Sequence, residues 1–420
     1  MIARQIATSL LSTVVLLIQA IASHAANEYE DLNKVQIKIE QLSTGKNTGE
    51  APYTLLLGAD GKKIKTEGKP GPHEIYLLKV SKSGGTNARK NILVIGTQHA
   101  REWVAYRCVL DLAELIIQQR NNVGWPNGGA RFGELKKFAE LDMSKLTDNA
   151  NIYFVPIANP AGYDFSRSPN NDQWRKNRRD TAKDDQLPPG RFTGFDNILP
   201  GVDINRNWST SDWGDDTTRA FPPPNGPVEQ IRTSRYKDQE IYCGKPKGNM
   251  WANNPFRPPI VEKEIEGLVE LSKNVAFDCV IDVHSFSALV GWSENADAAA
   301  VHLRPNQGWQ NDLDIMRAFA SKAGGLMVNP DDQLPYDPTT GPYPASGDSL
   351  WYFYEQTNKK AFTYLIEVGK NGFHPANATA HAQAVQPGML FMMFATIDKS
   401  FASKPQATLR KPDPGELPAQ

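Results

Sequence analysis

The chain has 420 residues, of which 40% are hydrophobic and 22% are charged, a composition typical of a soluble globular protein. Its 46 Lys and Arg residues nearly balance its 47 Asp and Glu residues, so the formal net charge is −1. This balance argues against nucleic acid or an anionic membrane as a partner.

Residues 1–25 have the features of a secretory signal peptide. Arg4 supplies the positive charge, an apolar stretch extends from Ile6 to Ala22, and small residues end the segment at Ala25. A membrane anchor is the alternative, but the stretch is short and partly polar, and no second long apolar run follows. We therefore expect a secreted protein.

The N-terminal half of the remaining chain alternates between strands and helices. Apolar runs predict strands at 54–58, 73–80, 92–97 and 151–160, and a helix is predicted at 102–119. Since a polar turn joins the second and third runs, we expect these two strands to form a hairpin or to lie side by side. Pro160 is expected to end the fourth strand.

Residues 161–250 are rich in Asn, Asp, Arg, Gly and Pro, and we predict mostly loop, which at this length is usually functional. Two more strands are predicted within 279–285 and 361–369. Helices are predicted at 260–275, 310–323, 348–358 and 386–401.

This alternation predicts an α/β fold with a mixed, largely parallel central sheet flanked by helices. We assign 26–72 to an N-terminal segment, 73–402 to one large domain and 403–420 to a flexible Pro-rich tail.

The chain contains three cysteines, Cys108, Cys243 and Cys279, so at most one disulfide can form. Cys108 falls in an apolar helical segment and Cys279 opens an apolar strand, where free cysteine behaves as a small buried hydrophobe. We therefore expect neither a cysteine-based metal site nor a cysteine nucleophile.

Three of the predicted strands are followed closely by His or Glu. His99 and Glu102 follow the strand at 92–97, His284 ends the next, and Glu367 ends the last. Ligands of open α/β sheets bind at the carboxyl ends of the strands. Two histidines and a carboxylate are the ligand set of a catalytic zinc, and a further carboxylate supplies a base.

The His-x-x-Glu spacing of His99 and Glu102 spans a junction between strand and helix. A tight turn there lets both side chains converge on one point, and His284 is the best candidate for a third ligand, with the fourth position left for water. Asp282 lies two residues before His284 on the same face of its strand and is a candidate to orient an imidazole.

Six motifs around these residues carry a family resemblance. They occur in the order GTQHAREW (96–103), NPAGYDFSRS (159–168), WRKNRR (174–179), GVDINRNW (201–208), DVHSFS (282–287) and FTYLIEVGKNGF (362–373). Together they resemble the zinc carboxypeptidase A/B family over most of the chain after residue 73. The resemblance implies a carboxypeptidase-like single domain that holds one Zn²⁺ per chain.

The resemblance also implies roles in the chemistry. His99, Glu102 and His284 match the zinc ligands, and Glu367 matches the general base that activates the water at the zinc. Arg175 matches the arginine that stabilises the oxyanion. A fixed guanidinium suits that task because it stabilises charge as it develops on the carbonyl oxygen.

Further residues match the family's substrate-binding groups. Asn205 and Arg206 match the pair that binds the terminal carboxylate, Arg101 matches a substrate-binding arginine, and Tyr343 matches the mobile tyrosine over the C-terminal residue. A guanidinium fork fits two carboxylate oxygens. The implied activity is hydrolysis of the last peptide bond of peptides or proteins, by a secreted enzyme that we expect to be monomeric.

The C-terminal residue preference depends on the base of the side-chain pocket, which matches Leu350. An apolar base favours apolar or aromatic C-terminal residues. Asp348 and Glu294 lie near enough in sequence that an alignment slip would instead favour Lys or Arg. Phe286 replaces the Tyr that often follows the family's third ligand, and the EVGKNGF segment is shorter than usual.

The segment before the catalytic domain is short. Only 73 residues separate Ala25 from His99 (99 − 25 − 1 = 73), and the domain itself needs much of this length. We therefore expect no full inhibitory pro-domain and an enzyme that is active when secreted. Two other functions stay open, a pseudoenzyme or binding protein on this fold and a zinc amidase that acts on cell-wall peptides or acyl-amino acids.

Overall fold

The computed structural model describes residues 28–44, 53–55, 62–69, 71–81, 89–119, 143–180, 201–210, 231–233, 240–242, 261–292, 309–339, 347–355 and 361–398. The predicted signal peptide and the predicted tail lie outside these residues, as do Cys243, Glu294 and Tyr343.

Ten strands occur in the described residues. They are β1 (Tyr53–Leu55), β2 (Tyr76–Val80), β3 (Lys90–Gly96), β4 (Ala150–Val155), β5 (Ile231–Thr233), β6 (Glu240–Tyr242), β7 (Cys279–His284), β8 (Leu289–Trp292), β9 (Asp337–Pro338) and β10 (Phe362–Glu367). Strands β5 and β6 pair with each other, and the other eight form one sheet.

Eight α-helices accompany these strands. They are α1 (Leu32–Thr44), α2 (Trp103–Gln119), α3 (Met143–Asn149), α4 (Pro160–Ser166), α5 (Lys263–Asn274), α6 (Trp309–Leu326), α7 (Ser349–Glu355) and α8 (Ala378–Ile397). A 3₁₀ turn spans Ile204–Arg206.

The strand order in the large sheet is β1-β2-β4-β3-β7-β10-β8-β9. Its four central strands, β4, β3, β7 and β10, are parallel, whereas β1, β2 and β8 pair in antiparallel fashion. Strands β3 and β7 are buried almost throughout, as expected of parallel strands with helices on both faces. The predicted mixed α/β fold is therefore confirmed.

The helices form two layers. Side chains of α1, α2, α6 and α8 make the larger hydrophobic core on one face of the sheet. Side chains of α5 fill a smaller core on the other face. Cys108 and Cys279 are buried and free, as predicted. None of the helices in the described ranges has the length and apolar character needed to cross a membrane.

The expected pairing of the strands at 73–80 and 92–97 is wrong, because β4 lies between β2 and β3. Leu78 of β2 pairs with Phe154 of β4, and Val94 of β3 pairs with the same residue from the other side. Strand β4 is apolar on both faces and takes the inner position, which a local turn signal does not reveal.

Two element boundaries also differ from the prediction. Strand β4 ends at Val155, and Pro160 begins α4, where Asn159 caps the helix by accepting a hydrogen bond from the amide of Gly162 at 3.0 Å. Proline is tolerated at the first helical position because its missing N–H needs no partner there.

Helix α8 begins at Ala378 rather than at 386. Asn377 caps it by accepting from the amide of Ala380 at 3.1 Å, and the carboxylate of Glu28 accepts from the amide of Ala378 at 2.6 Å. Pro387 lies inside this helix.

Helix α1 was missed within the segment assigned to 26–72. Leu32, Val35 and Ile39 follow the helical spacing and are buried against the core. The preceding Tyr29 is also buried and donates a hydrogen bond to the carbonyl of Pro375 at 2.8 Å. This segment is therefore packed onto the rest of the molecule.

Candidate metal centre

The predicted zinc ligands meet at the carboxyl edge of the central strands. Thr97, directly after β3, has a φ of 50°, and this left-handed turn redirects the chain toward α2. Gly96 permits the turn to lie close to the helix, since a Cβ there would be 3.0 Å from the carbonyl of Ala105. His99 and Glu102 lie in this turn, and His284 ends β7, the strand next to β3 in the sheet.

The three side chains converge on one point. One ligand atom from each of His99, Glu102 and His284 lies within 4.8 Å of the others, and all three residues are buried. Nδ1 of His99 lies 2.7 Å from one oxygen of Glu102, and Nδ1 of His284 lies 2.8 Å from the other. The two Nδ1 atoms are 3.0 Å apart.

Each imidazole has a second carboxylate behind it. Nε2 of His284 lies 3.0 Å from Asp282, and Nε2 of His99 lies 3.4 Å from Asp203. With a proton on each Nε2, both imidazoles would direct their Nδ1 lone pairs at the centre, although the contact of His99 with Asp203 is an ion-pair distance and not a hydrogen bond. Asp282 thus takes the orienting position that the sequence suggested.

The charges of this group balance one another. Burial favours the neutral acid of Glu102, but His99 and His284 outweigh it and hold the pKa of that carboxyl well below its usual value. Burial also opposes protonation of His284, yet the carboxylates of Asp282 and Glu102 raise its pKa well above the ordinary value. Two imidazole nitrogens and a carboxylate oxygen that converge on one point form the ligand set of a catalytic zinc site.

Glu367 stands beside these residues. In the parallel pairing of β10 with β7, Glu367 is aligned with His284. Its Oε2 is buried and has no hydrogen-bond partner among the residues that the structure describes. Burial and the nearby charge of Glu102 raise the pKa of Glu367 to about 8. The protonation of Glu367 therefore depends on the charges of the neighbouring metal-site residues.

Arg175 is held on the opposite side of His99 by Asp203. Its Nε donates to Asp203 at 2.7 Å, and both side chains are buried. The backbone carbonyl of Arg175 accepts from the amide of Ala100, in the ligand turn, at 2.9 Å. Burial alone would raise the pKa of Asp203, but Arg175 and His99 hold it well below its ordinary value.

Asn205 and Arg206 lie in the 3₁₀ turn and reach the same centre. Nδ2 of Asn205 is 3.3 Å from Nε2 of His284, and its Oδ1 accepts from the amide of Ser349 at 3.0 Å. Arg206 is buried and donates to the carbonyl of Asn205. Asn205 is therefore held next to a metal ligand, and the charge of Arg206 is near enough to help lower the pKa of Asp203.

Arg101 lies in the ligand turn, between His99 and Glu102 in sequence. Its guanidinium donates to the carbonyl of Gln173 at 3.4 Å and lies 4.0 Å from the ring centroid of Phe373. Phe286 packs edge-on against Phe373, with 4.9 Å between their ring centroids. Phe286, which replaces the Tyr common in the family, thus packs on the ring that Arg101 contacts.

Leu350 is the second residue of α7 and is partly buried. Asp348 caps that helix by accepting from the amide of Trp351 at 2.9 Å. Burial raises the pKa of Asp348, although Trp351 and Arg206 act in the opposite direction. Tyr343 and Glu294 are outside the described residues, so their positions relative to the centre are not described.

Two residues of the site were missed from the sequence. Asp203 links Arg175 to His99, and Ser349 donates to the same oxygen of Asp282 that Gln98 contacts. Asp203 lies inside the GVDINRNW motif, but its two partners come from other segments. Ser349 had no distinguishing signal, since its partner lies 67 positions away in the chain.

Comparisons with known proteins agree with this geometry. A family model described as zinc carboxypeptidase matches residues 71–385. Carboxypeptidase A4 of Mus musculus is 26% identical over 304 residues, which cover 71% of this chain and 56% of that protein. A Paracoccidioides brasiliensis protein named inactive metallocarboxypeptidase ECM14 is 25% identical over 307 residues, or 68% of this chain and 41% of that protein.

The chain thus spans about half the length of these curated relatives. A crystal structure of thrombin activatable fibrinolysis inhibitor matches this fold with a TM-score of 0.58 at 19% identity, covering 89% of this chain and 74% of that one. At this identity the structural likeness concerns the fold.

Proposed function

Because the chain belongs to the zinc carboxypeptidase family, we propose that it is a zinc-dependent exopeptidase that hydrolyses the C-terminal peptide bond of peptides or proteins. The observation that carries this proposal is the convergence of His99, Glu102 and His284 within 4.8 Å, with Glu367 aligned beside His284. The three converging residues would hold one zinc ion. Bound zinc would act as a Lewis acid and would lower the pKa of the attacking water toward about 7.

Glu367 acts as the general base. It takes a proton from the water that attacks the scissile carbonyl and later delivers a proton to the leaving amine. In the absence of a cation, burial and the charge of Glu102 raise its pKa to about 8. The positive charge of bound zinc would favour the carboxylate form that accepts the proton. Because Oε2 of Glu367 has no hydrogen-bond partner among the described residues, this oxygen is available for the proton exchange.

Arg175 stabilises the negative charge that develops on the carbonyl oxygen. The bond between its Nε and Asp203 fixes the plane of the guanidinium. A preorganised cation of this kind requires no reorganisation when the oxyanion forms.

Asn205 and Arg206 bind the free carboxylate of the substrate, with Tyr343 closing over the last residue and Arg101 contacting residues farther from it. The guanidinium and amide together offer several N–H donors in one place, which matches the two carboxylate oxygens. Requiring this carboxylate limits cleavage to the last peptide bond.

The pocket prefers apolar or aromatic C-terminal residues, with Leu350 at its base. Asp348 supports this assignment because its carboxylate is occupied in capping α7. The enzyme is secreted after removal of residues 1–25 and is monomeric.

The decisive experiment incubates the zinc-loaded protein with peptides that differ only in the last residue, each with a free or an amidated C-terminus. We expect release of Phe and Leu from the free peptides and no cleavage of the amidated ones. Equal cleavage of both sets would exclude an exopeptidase and favour an amidase. Release of Lys and Arg alone would reverse the specificity, and zinc binding without hydrolysis would identify a pseudoenzyme.

A further inference from the structure

A second buried polar cluster lies behind the proposed substrate-binding residues, at the N-terminal end of α5. We call it the clamp, and it consists of Asn177, Asn207, Glu262 and Glu264. All four residues are buried, with at most 5% of their surface exposed. None of them belongs to the metal centre.

Asn177 connects three segments of the chain. Its Nδ2 donates to Glu262 at 2.9 Å and to Glu264 at 3.1 Å. Its Oδ1 accepts from the amide of Val202 at 2.7 Å, and its own amide donates to the carbonyl of Val202 at 2.9 Å. One side chain therefore ties the segment 174–179 to the segment 201–210 and to α5.

Asn207 and Glu262 make a second connection. The amide of Glu262 donates to Oδ1 of Asn207 at 2.7 Å. Nε of Arg179 donates to both oxygens of Glu262, at 2.9 and 2.8 Å. Helix α5 is thus bonded to both segments through its first residues.

Glu264 is the unusual member. Nδ2 of Asn177 donates both to Oε2 of Glu264 and to Glu262. Oε1 of Glu264 has no partner within the described part of the chain. Burial and the carboxylate of Glu262 raise the pKa of Glu264 to about 8, and Glu67 acts in the same direction. At neutral pH the acid is neutral, so the shared amide does not face two negative charges.

The clamp is close in sequence to both arginines of the proposed site. Asn177 is two residues from Arg175, and Asn207 directly follows Arg206. Small displacements of such groups are costly, because a shift of about 1 Å can reduce turnover about 100-fold.

We propose that Asn177 and Glu264 are positioning residues, which hold Arg175 and Arg206 at the spacing that a bound C-terminal residue requires. This inference rests on the proposed function. Neither residue touches the substrate, and both act by fixing the two arginine-bearing segments to α5.

The charged groups that face Glu264 predict how the clamp responds to pH. Glu262 and Glu67 both oppose its ionisation, and Arg179 is already engaged by Glu262. When Glu264 ionises above about pH 8, two buried carboxylates repel each other across one amide, and the segments loosen.

The test compares Asn177→Leu and Glu264→Gln with Glu270→Gln, which alters the solvent side of the same helix. We measure kcat and KM for a free-carboxylate peptide from pH 6 to 9.5, together with bound zinc and the melting temperature. Asn177→Leu is expected to raise KM about 10- to 100-fold with zinc content unchanged. Glu264→Gln is expected to abolish the rise in KM above pH 8 that the parent and Glu270→Gln share.

Binding of N-acetylphenylalanine, measured by calorimetry, separates this proposal from the proposed function. If the parent shows no peptidase activity, the proposed function fails, and weaker binding by Asn177→Leu still supports the clamp. A folded Asn177→Leu with the parent's KM and ligand affinity would overturn it, as would an unchanged pH profile in Glu264→Gln. If Asn177→Leu does not fold, Glu264→Ala carries the same expectation for KM, with a smaller effect.

Discussion

Two groups of buried carboxylates in this protein lie in opposite electrostatic surroundings. In the metal centre, Glu102 and Asp203 face histidines and Arg175, and their pKa values are lowered. In the clamp, Glu264 faces Glu262, and its pKa is raised to about 8. Burial opposes ionisation in both places.

The neighbouring charges therefore decide which acid stays ionised. The metal centre places negative charge where a cation can bind, whereas the clamp stores a neutral acid inside the protein. Glu367 adjoins the metal centre, yet burial and the charge of Glu102 raise its pKa to about 8, as burial and Glu262 do for Glu264.

Replacing Glu367, the proposed general base, should have the largest effect. Glu367→Gln is expected to reduce kcat by about 10²- to 10⁴-fold, because the amide cannot accept the proton from water. Bound zinc, measured by metal analysis after dialysis, should stay at the parent level. Full activity in this variant would remove Glu367 as the base.

Neutralising the clamp acid should instead change how stability depends on pH. The pKa of Glu264 rises from 4.5 in the unfolded chain to about 8 in the folded one, so between these values the folded state binds more protons. Its contribution is fully present below pH 4.5 and is lost as pH rises toward 8, by a few kcal/mol in total. Glu264→Gln should flatten this slope.

Urea unfolding at several pH values, compared between parent and Glu264→Gln, measures this difference. Parallel curves for the two proteins between pH 5 and 8 would mean that Glu264 is ionised in the folded state. The contrast between the two carboxylate groups would then not hold.

Removing one supporting charge from the metal centre should weaken metal binding moderately. Asp282→Asn takes away the carboxylate behind His284 and is expected to lower zinc affinity about 10- to 100-fold. Competition with a chromogenic chelator gives the affinity directly. An unchanged affinity would show that Gln98 or Ser349, which also contact Asp282, orient His284 without the charge.

A partly exposed carboxylate on α5 should matter least. Glu270 pairs with Lys273 at 3.0 Å, and the two side chains are 24% and 60% exposed. Exposed pairs of this kind contribute less than about 1 kcal/mol. Glu270→Gln should therefore leave the melting temperature and the kinetics close to those of the parent, and a large loss would mean that the helix surface has a further contact.

Sequence patterns located most of the elements that position the site. The apolar runs before His99, at Cys279–His284 and at Phe362–Glu367 correspond to β3, β7 and β10, and their parallel order brings the predicted ligands to one edge. Long buried strands are visible in a sequence because both faces must be apolar.

Other elements were hidden because their signals were weak or shared. The helix at Leu32–Thr44 has only a narrow apolar stripe, which a search for strands overlooks. The neighbour of β2 was misassigned because a turn signal is local, whereas the partner, β4, comes from about seventy residues later in the chain.

The sequence predicted which residues could bind zinc and which acid could serve as base, because the strand ends suggested candidates and the family resemblance assigned their roles. Ligand types and strand ends are local properties. The charge states of these residues, and the contacts that fix their side chains, depend on the tertiary structure. Asp203 and Asp282 support the histidines, and Asn177 joins Glu262 and Glu264 behind the arginines. The last contacts join residues 85 and 87 positions apart, and burial and charge at such distances depend on the fold alone.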